Sequence, residues 1–166
     1  GKLMLAMLPI ALIAFPNAKV IFCKRRGIEN VLSRVKKFKG MTFEQHLNGW
    51  VACFDEWKKT KEEMSLKLAS NSWQIEIDQY DILMQPNEVA ATICQLLKLD
   101  DKCAKHISSI LKMETPEQSS TNIKEIVNFD NVEWDESQKS LFIEVCSCMM
   151  ERQGYSFNET YYLRKN

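Results

Sequence analysis

The chain has 166 residues, 45% of them apolar, which is enough for one domain with a real core and excludes a disordered polymer. Lys and Arg number 22 against 22 Asp and Glu, so no overall field draws it to nucleic acid or an acidic membrane; any anion must be caught by local charge. Gly (5) and Pro (4) are scarce, which favours helices over a turn-rich β-sandwich.

The apolar run from Leu3 to Phe15 is too short for a membrane helix, which needs about 20 residues, and Pro9 interrupts it. Behind Lys2 it has the look of a secretory signal, but the preferred reading is a helical segment buried on most sides that leads into a strand. Pro16-Asn17 signals a turn. Lys19 to Cys23 is a short run rich in β-branched and aromatic residues, the pattern of a parallel strand covered on both faces. Lys24, Arg25 and Arg26 end it, Gly27 frees the backbone to turn, and Ile28 to Phe38 has helical spacing with Ile28, Val31, Leu32 and Val35 on its apolar side.

Thr42 with Gln45 three residues on predicts a capped helix start. Phe43, His46, Leu47, Trp50, Val51, Phe54 and Trp57 then repeat at three and four residues, through the charged run Lys58 to Glu63 and ending before Asn71. Trp73 to Asp78 alternates as a strand does. Tyr80 to Gln85 reads as a connection. Asn87 is expected to cap a helix through Leu97 with Val89, Ile93, Leu96 and Leu97 inward. Lys102 to Lys112 is a shorter helix, and Glu114 to Asn131 a long loop. Asp135 or Ser137 starts the last strong helix, with Leu141, Phe142, Val145, Cys148 and Met149 as its buried stripe and Gly154 as its C-cap. An aromatic and basic tail, Tyr155 to Asn166, follows.

The six cysteines show no zinc spacing, and most sit in apolar patterns, so reduced core thiols in a reducing, cytoplasmic compartment are expected. Cys146 and Cys148, two apart on a helix, point to different faces and do not bridge each other readily. Of the two histidines, His46 and His106, neither reads as catalytic; His46 sits among apolar helix positions.

Arg25 at the end of a strand projects towards the carboxyl rim of the sheet, where ligands bind in open α/β folds. A guanidinium there, with the Ser33 hydroxyl in the following helix, suits a phosphate: one supplies charge and a fork of donors, the other one donor more. The alternative is a solvated basic turn with Ser33 incidental.

The stretch PNAKVIFCKRRGIENVLSR, residues 16–34, resembles the sulfotransferases that use 3′-phosphoadenosine 5′-phosphosulfate (PAPS). In that family a strand leads to an Arg, a short turn and a helix bearing a Ser eight positions after the Arg, and the two hold the 3′-phosphate of the nucleotide. The resemblance gives these roles to Arg25 and Ser33. Trp73 to Leu99 resembles the family's later strand, acidic connection and helix, with Gln79, Tyr80 and Asp81 where Tyr, Glu and Asp are usual. Pro116 to Tyr155 looks like its substrate-side region, with WDESQK from Trp134 as a helix start, and Arg164-Lys165 is faintly like its basic loop.

No stretch resembles the family's Gly-Thr-Thr phosphosulfate loop, and the five glycines are scattered. The resemblance thus implies one sulfotransferase-like domain over residues 1–166, incomplete on its N-terminal side. Its fold class would be α/β, part of a P-loop-like three-layer fold with a short parallel sheet and a majority of helix. PAPS or adenosine 3′,5′-bisphosphate is the expected cosubstrate, the sulfate acceptor is open, and no catalytic residue or metal is assigned. An exposed edge on the Lys19 to Cys23 strand predicts a homodimer, or a missing N-terminal half that fills it. A non-catalytic nucleotide- or protein-binding module of the same fold, and a mainly helical interaction protein, are the other readings.

Overall fold

The computed structural model describes residues 2–68, 73–113 and 126–163. The chain divides into two compact units. One comprises Gly1–Ala6, Arg26–Thr60 and Gln118–Asn166, the other Met7–Arg25 and Lys61–Glu117.

The second unit carries the sheet. β1 (Val20–Lys24) and β2 (Gln74–Asp78) pair in parallel, with Val20 opposite Gln74 and Lys24 opposite Asp78. Parallel strands need a long crossover, and here residues 25–73 supply it, α2 (Gly27–Lys37) and α3 (Phe43–Lys67) included. The expected α/β class, with a short parallel sheet and a majority of helix, is therefore observed.

β1 is not covered on both faces as its apolar run suggested. Burial alternates along it, and Ile21 and Cys23 are exposed. An unbroken apolar run identifies a strand, but covering each face takes a separate layer, and among the described residues none covers the face of Ile21 and Cys23.

The same limit applies to α1 (Lys2–Ala14), which is helical as expected but not buried on most sides. Met4, Met7, Ile10 and Ile13 are exposed, whereas Leu5, Leu8, Pro9 and Leu12 form the less exposed stripe. A helix sets only one stripe against a single neighbour, so uniform apolarity leaves the remainder in solvent.

Tyr80 to Gln85 is helical rather than an irregular connection. α4 (Gln79–Met84) is capped by Asp78, whose carboxylate accepts from the Tyr80 N–H at 2.9 Å. α5 (Pro86–Leu97) starts one residue before Asn87, with Pro86 in the first turn, where its missing N–H costs nothing. Asn87 is thereby relieved of capping. Its Oδ1 accepts instead from Ser108 Oγ (2.6 Å) and Lys112 Nζ (2.9 Å) of α6 (Asp101–Met113), which joins the α5–α6 pair. Val89, Ala90, Cys94 and Leu96 are the buried positions of α5, while Leu97 is exposed.

In the first unit α3 begins with the expected reciprocal cap: Gln45 N–H to Thr42 Oγ1 at 3.2 Å and Thr42 N–H to Gln45 Oε1 at 2.9 Å. Leu47, Trp50, Phe54 and Trp57 are buried along it, as their spacing required. α7 (Glu136–Arg152) opens on a second capping box, made by Asp135 and Gln138. Its buried residues are Phe142, Cys146, Met149 and Met150; Cys148, expected inward, is exposed.

Residues 114–125 and 164–166 lie outside the described residues, and with them most of the expected long loop and the Arg164-Lys165 pair. The described end of that loop is core. A 3₁₀ turn (Phe129–Asn131) buries Phe129 against Phe142, Phe157 and Trp134, with ring centroids 5.3, 5.4 and 6.2 Å away. The tail is core too. After Gly154, at the left-handed φ of 73° that favours glycine, Tyr155 pairs across an antiparallel bridge with Tyr162, and Tyr155 and Tyr161 are buried.

Candidate phosphate-binding turn

Because β1 and β2 run parallel, both carboxyl ends lie at one rim of the pair, marked by Lys24 opposite Asp78. Arg25 is the next residue after β1 and is half-buried. It belongs to the unit that carries the sheet, whereas Ser33, half-buried in the second turn of α2, belongs to the other.

The three consecutive cations of the turn have different surroundings. Lys24 reaches across the sheet to Glu76 Oε2 at 3.4 Å, and Lys61 of α3 pairs with the other oxygen of the same carboxylate. A carboxylate shared between two ammonium groups satisfies the cross-strand position and ties α3 to β2.

Arg26 is fully buried. Its Nε donates to Glu29 Oε2 at 2.8 Å and its Nη2 to the other oxygen of Glu29, a bidentate fork. Nη2 also donates to the Val127 carbonyl (2.6 Å), and Nη1 to the carbonyls of Ser156 (3.0 Å) and Asn158 (3.1 Å). The Arg26 backbone N–H donates to the Tyr161 hydroxyl at 2.8 Å, and the guanidinium lies 5.3 Å from the centre of that ring. Every N–H of the guanidinium thus has an acceptor, as a buried charge requires. Arg26 fastens the C-terminal segment to the start of α2.

Sequence reasoning grouped Arg26 with its neighbours as one basic cluster. A usable signal was present in Glu29, three residues on in the first helical turn, where an Arg–carboxylate pair closes locally. The acceptors 130 and 132 residues away carried no such signal. Lys24 and Arg26 are thus both committed to the framework.

Gly27 opens α2 where space is tight. A Cβ there would stand 3.1 Å from both Met150 Sδ and Trp50 Cη2, so glycine permits the close approach of α2 to α3 and α7.

His46 is 1% exposed, sealed in rather than partly open, and His106 is exposed on α6. Burial, with Arg34 nearby, pushes the His46 imidazole below its usual range. A ring sealed from solvent is out of reach of an acceptor substrate. All six cysteines are free thiols; Cys146 is buried and Cys148 exposed, on different faces as expected, and burial raises the Cys146 thiol to about 12. No group of three or more metal-ligating side chains occurs among the described residues, and no helix among them is long and apolar enough to cross a membrane.

The chain matches no protein-family model, no curated protein and no solved structure.

Proposed function

We propose that this chain is the C-terminal portion of a PAPS-dependent sulfotransferase and supplies the 3′-phosphate site through Arg25 and Ser33. The observation that carries the reading is the position of Arg25, immediately after the carboxyl end of a strand in a parallel pair. That rim is where open α/β sheets hold their ligands. The 16–34 resemblance supplies the nucleotide and the partner role of Ser33.

In the reaction a sulfuryl group moves from the 5′-phosphate oxygen of PAPS to an acceptor hydroxyl or amine. The acceptor loses its proton, and adenosine 3′,5′-bisphosphate departs. Arg25 and Ser33 grip the far end of the donor and do not touch the sulfur. The phosphosulfate loop and the base come from residues other than these, in a completed P-loop-like three-layer domain. β1 has one ladder partner among the described residues, so its second edge can accept that completing strand or a second copy of the chain. Free thiols, two of them exposed, suit a reducing compartment such as the cytoplasm.

Calorimetric titration with adenosine 3′,5′-bisphosphate tests the reading. Wild type binds; Arg25→Ala loses about 10- to 100-fold in affinity, the worth of charge-assisted hydrogen bonds at about 1.5–3 kcal/mol. Ser33→Ala loses less, because one neutral donor contributes about 1 kcal/mol. Absence of binding, or unchanged affinity in Arg25→Ala, overturns it.

The sealed state of His46 favours a second reading, a nucleotide-binding module without transferase activity. Sulfate transfer from PAPS to a panel of acceptors, assayed with and without a candidate N-terminal half, separates the two.

A further inference from the structure

Within the first unit, α2 and α3 share a polar seam with unmet hydrogen bonds. Neither Nδ1 nor Nε2 of His46 has a partner, and the buried Nε of Arg34 and Oδ1 of Asn30 have none either. Asn30 and Arg34 are four residues apart on α2 and so share a face. On α3, His46 and Gly49 are three apart, and the Arg34 guanidinium occupies the space beside Gly49: a Cβ there would stand 2.6 Å from Nη2. Arg34 is the charged group whose field reaches His46, and among the described residues no carboxylate offsets it.

The seam therefore holds the permanent charge of half-buried Arg34 beside a buried ring whose charged form is disfavoured while α2 and α3 are closed. A proton on that ring would create a second positive charge with no acceptor for either N–H. Buried like charges without a counter-ion are relieved by moving apart or by admitting water.

We propose that the α2–α3 seam is a proton-operated latch: with His46 neutral α2 lies closed on α3, and protonation of His46 beside Arg34 releases α2. Ser33 adjoins Arg34 on the released helix, so the latch would govern nucleotide binding; that consequence rests on the function proposed above, whereas the latch itself does not.

The sign follows from the groups facing the ring. Burial and Arg34 both disfavour the imidazolium in the folded state, so the unfolded chain binds the proton first. The closed seam is fully stable above about pH 6.5, the ordinary histidine value, and loses stability as pH falls below it.

The test uses the full chain. Proton NMR follows the two imidazole resonances between pH 5 and 8, His106→Gln identifying which is His46. The His46 resonance should titrate below its ordinary range and move up in Arg34→Gln. Urea unfolding at each pH should show a loss of stability on acidification that His46→Phe lacks. Adenosine 3′,5′-bisphosphate should bind less tightly at pH 5.5 than at 7.5, and the phosphate's own titration should account for all of that loss in His46→Phe and only part of it in wild type. A His46 resonance at or above its ordinary range, or one unmoved in Arg34→Gln, overturns the latch even where His46→Phe fails to fold. An acid loss of stability equal in His46→Phe overturns it as well. Failure of the nucleotide to bind at pH 7.5 counts against the proposed function, and the latch is then judged on the resonance and the unfolding curves.

Discussion

Replacing Arg26 by Met keeps an apolar stem in the buried site and removes all five guanidinium donors. Glu29, 8% exposed, is left as a buried carboxylate without its bidentate partner. Removing one member of a buried ion pair costs about 3–5 kcal/mol. The carbonyls of Val127, Ser156 and Asn158 lose donors too, although the Val127 and Asn158 contacts are part-buried and water can replace some of that loss. A total of about 4 kcal/mol is expected, a large share of the roughly 5–15 kcal/mol that holds a domain together. Urea unfolding followed by tryptophan fluorescence suits the measurement, because Trp50, Trp57 and Trp134 lie in the same unit as Arg26. The midpoint should fall with little change in slope. Adding Glu29→Met should restore about half of the loss, since a neutral pair no longer strands a charge while the carbonyls stay unmet. A loss below about 1 kcal/mol in Arg26→Met, or no recovery in the double variant, would refute the assignment of Arg26 as the clamp.

The two tight glycines should respond differently to alanine. Gly27→Ala presses on the Trp50 ring and Met150 and should cost about 1–3 kcal/mol, visible as a lower Tm. Gly49→Ala meets only the mobile end of Arg34, and the helix gains about 0.5–1 kcal/mol, so its Tm should stay within a few degrees of wild type; a Gly27→Ala protein as stable as wild type would contradict the packing. Cys148 should react with a thiol reagent at pH 8 while Cys146, two residues on the buried side, reacts only on unfolding; equal rates would show that α7 is oriented otherwise. Since burial lifts Cys146 from 9.0 to about 12, the unfolded chain ionises first, and stability should decline as pH rises from about 9 towards 12.

The sequence by itself determined the elements. Period-2 alternation marked β2, three- and four-residue spacing marked α3, an apolar stripe marked α7, and the Thr42–Gln45 capping box fixed where α3 begins, whereas the start of α7 stood open between Asp135 and Ser137 until the structure showed its box at Asp135. These signals are local: a hydrogen-bonded turn or an alternating face is specified by residues within a few positions of one another. α4 escaped notice because its signal is a single cap, Asp78, ahead of six residues.

Tertiary structure decided what covers each face. Of the adjacent cations Lys24, Arg25 and Arg26, only the fold shows that Arg26 is sealed, because its carbonyl partners come from residues more than 100 positions away. The same distance in sequence hid the burial of Tyr155 and Tyr161 and of the Phe129 turn. α1 and β1 err the other way, apolar enough to be buried yet partly open, because apolarity states what a surface would gain by being covered and not whether a layer is there to cover it. The rim position of Arg25 was legible from a strand followed by a basic turn. That β1 and β2 lie side by side in parallel, with Lys24 opposite Asp78, took the fold to decide, since pairing across the crossover depends on long-range packing that no local pattern encodes.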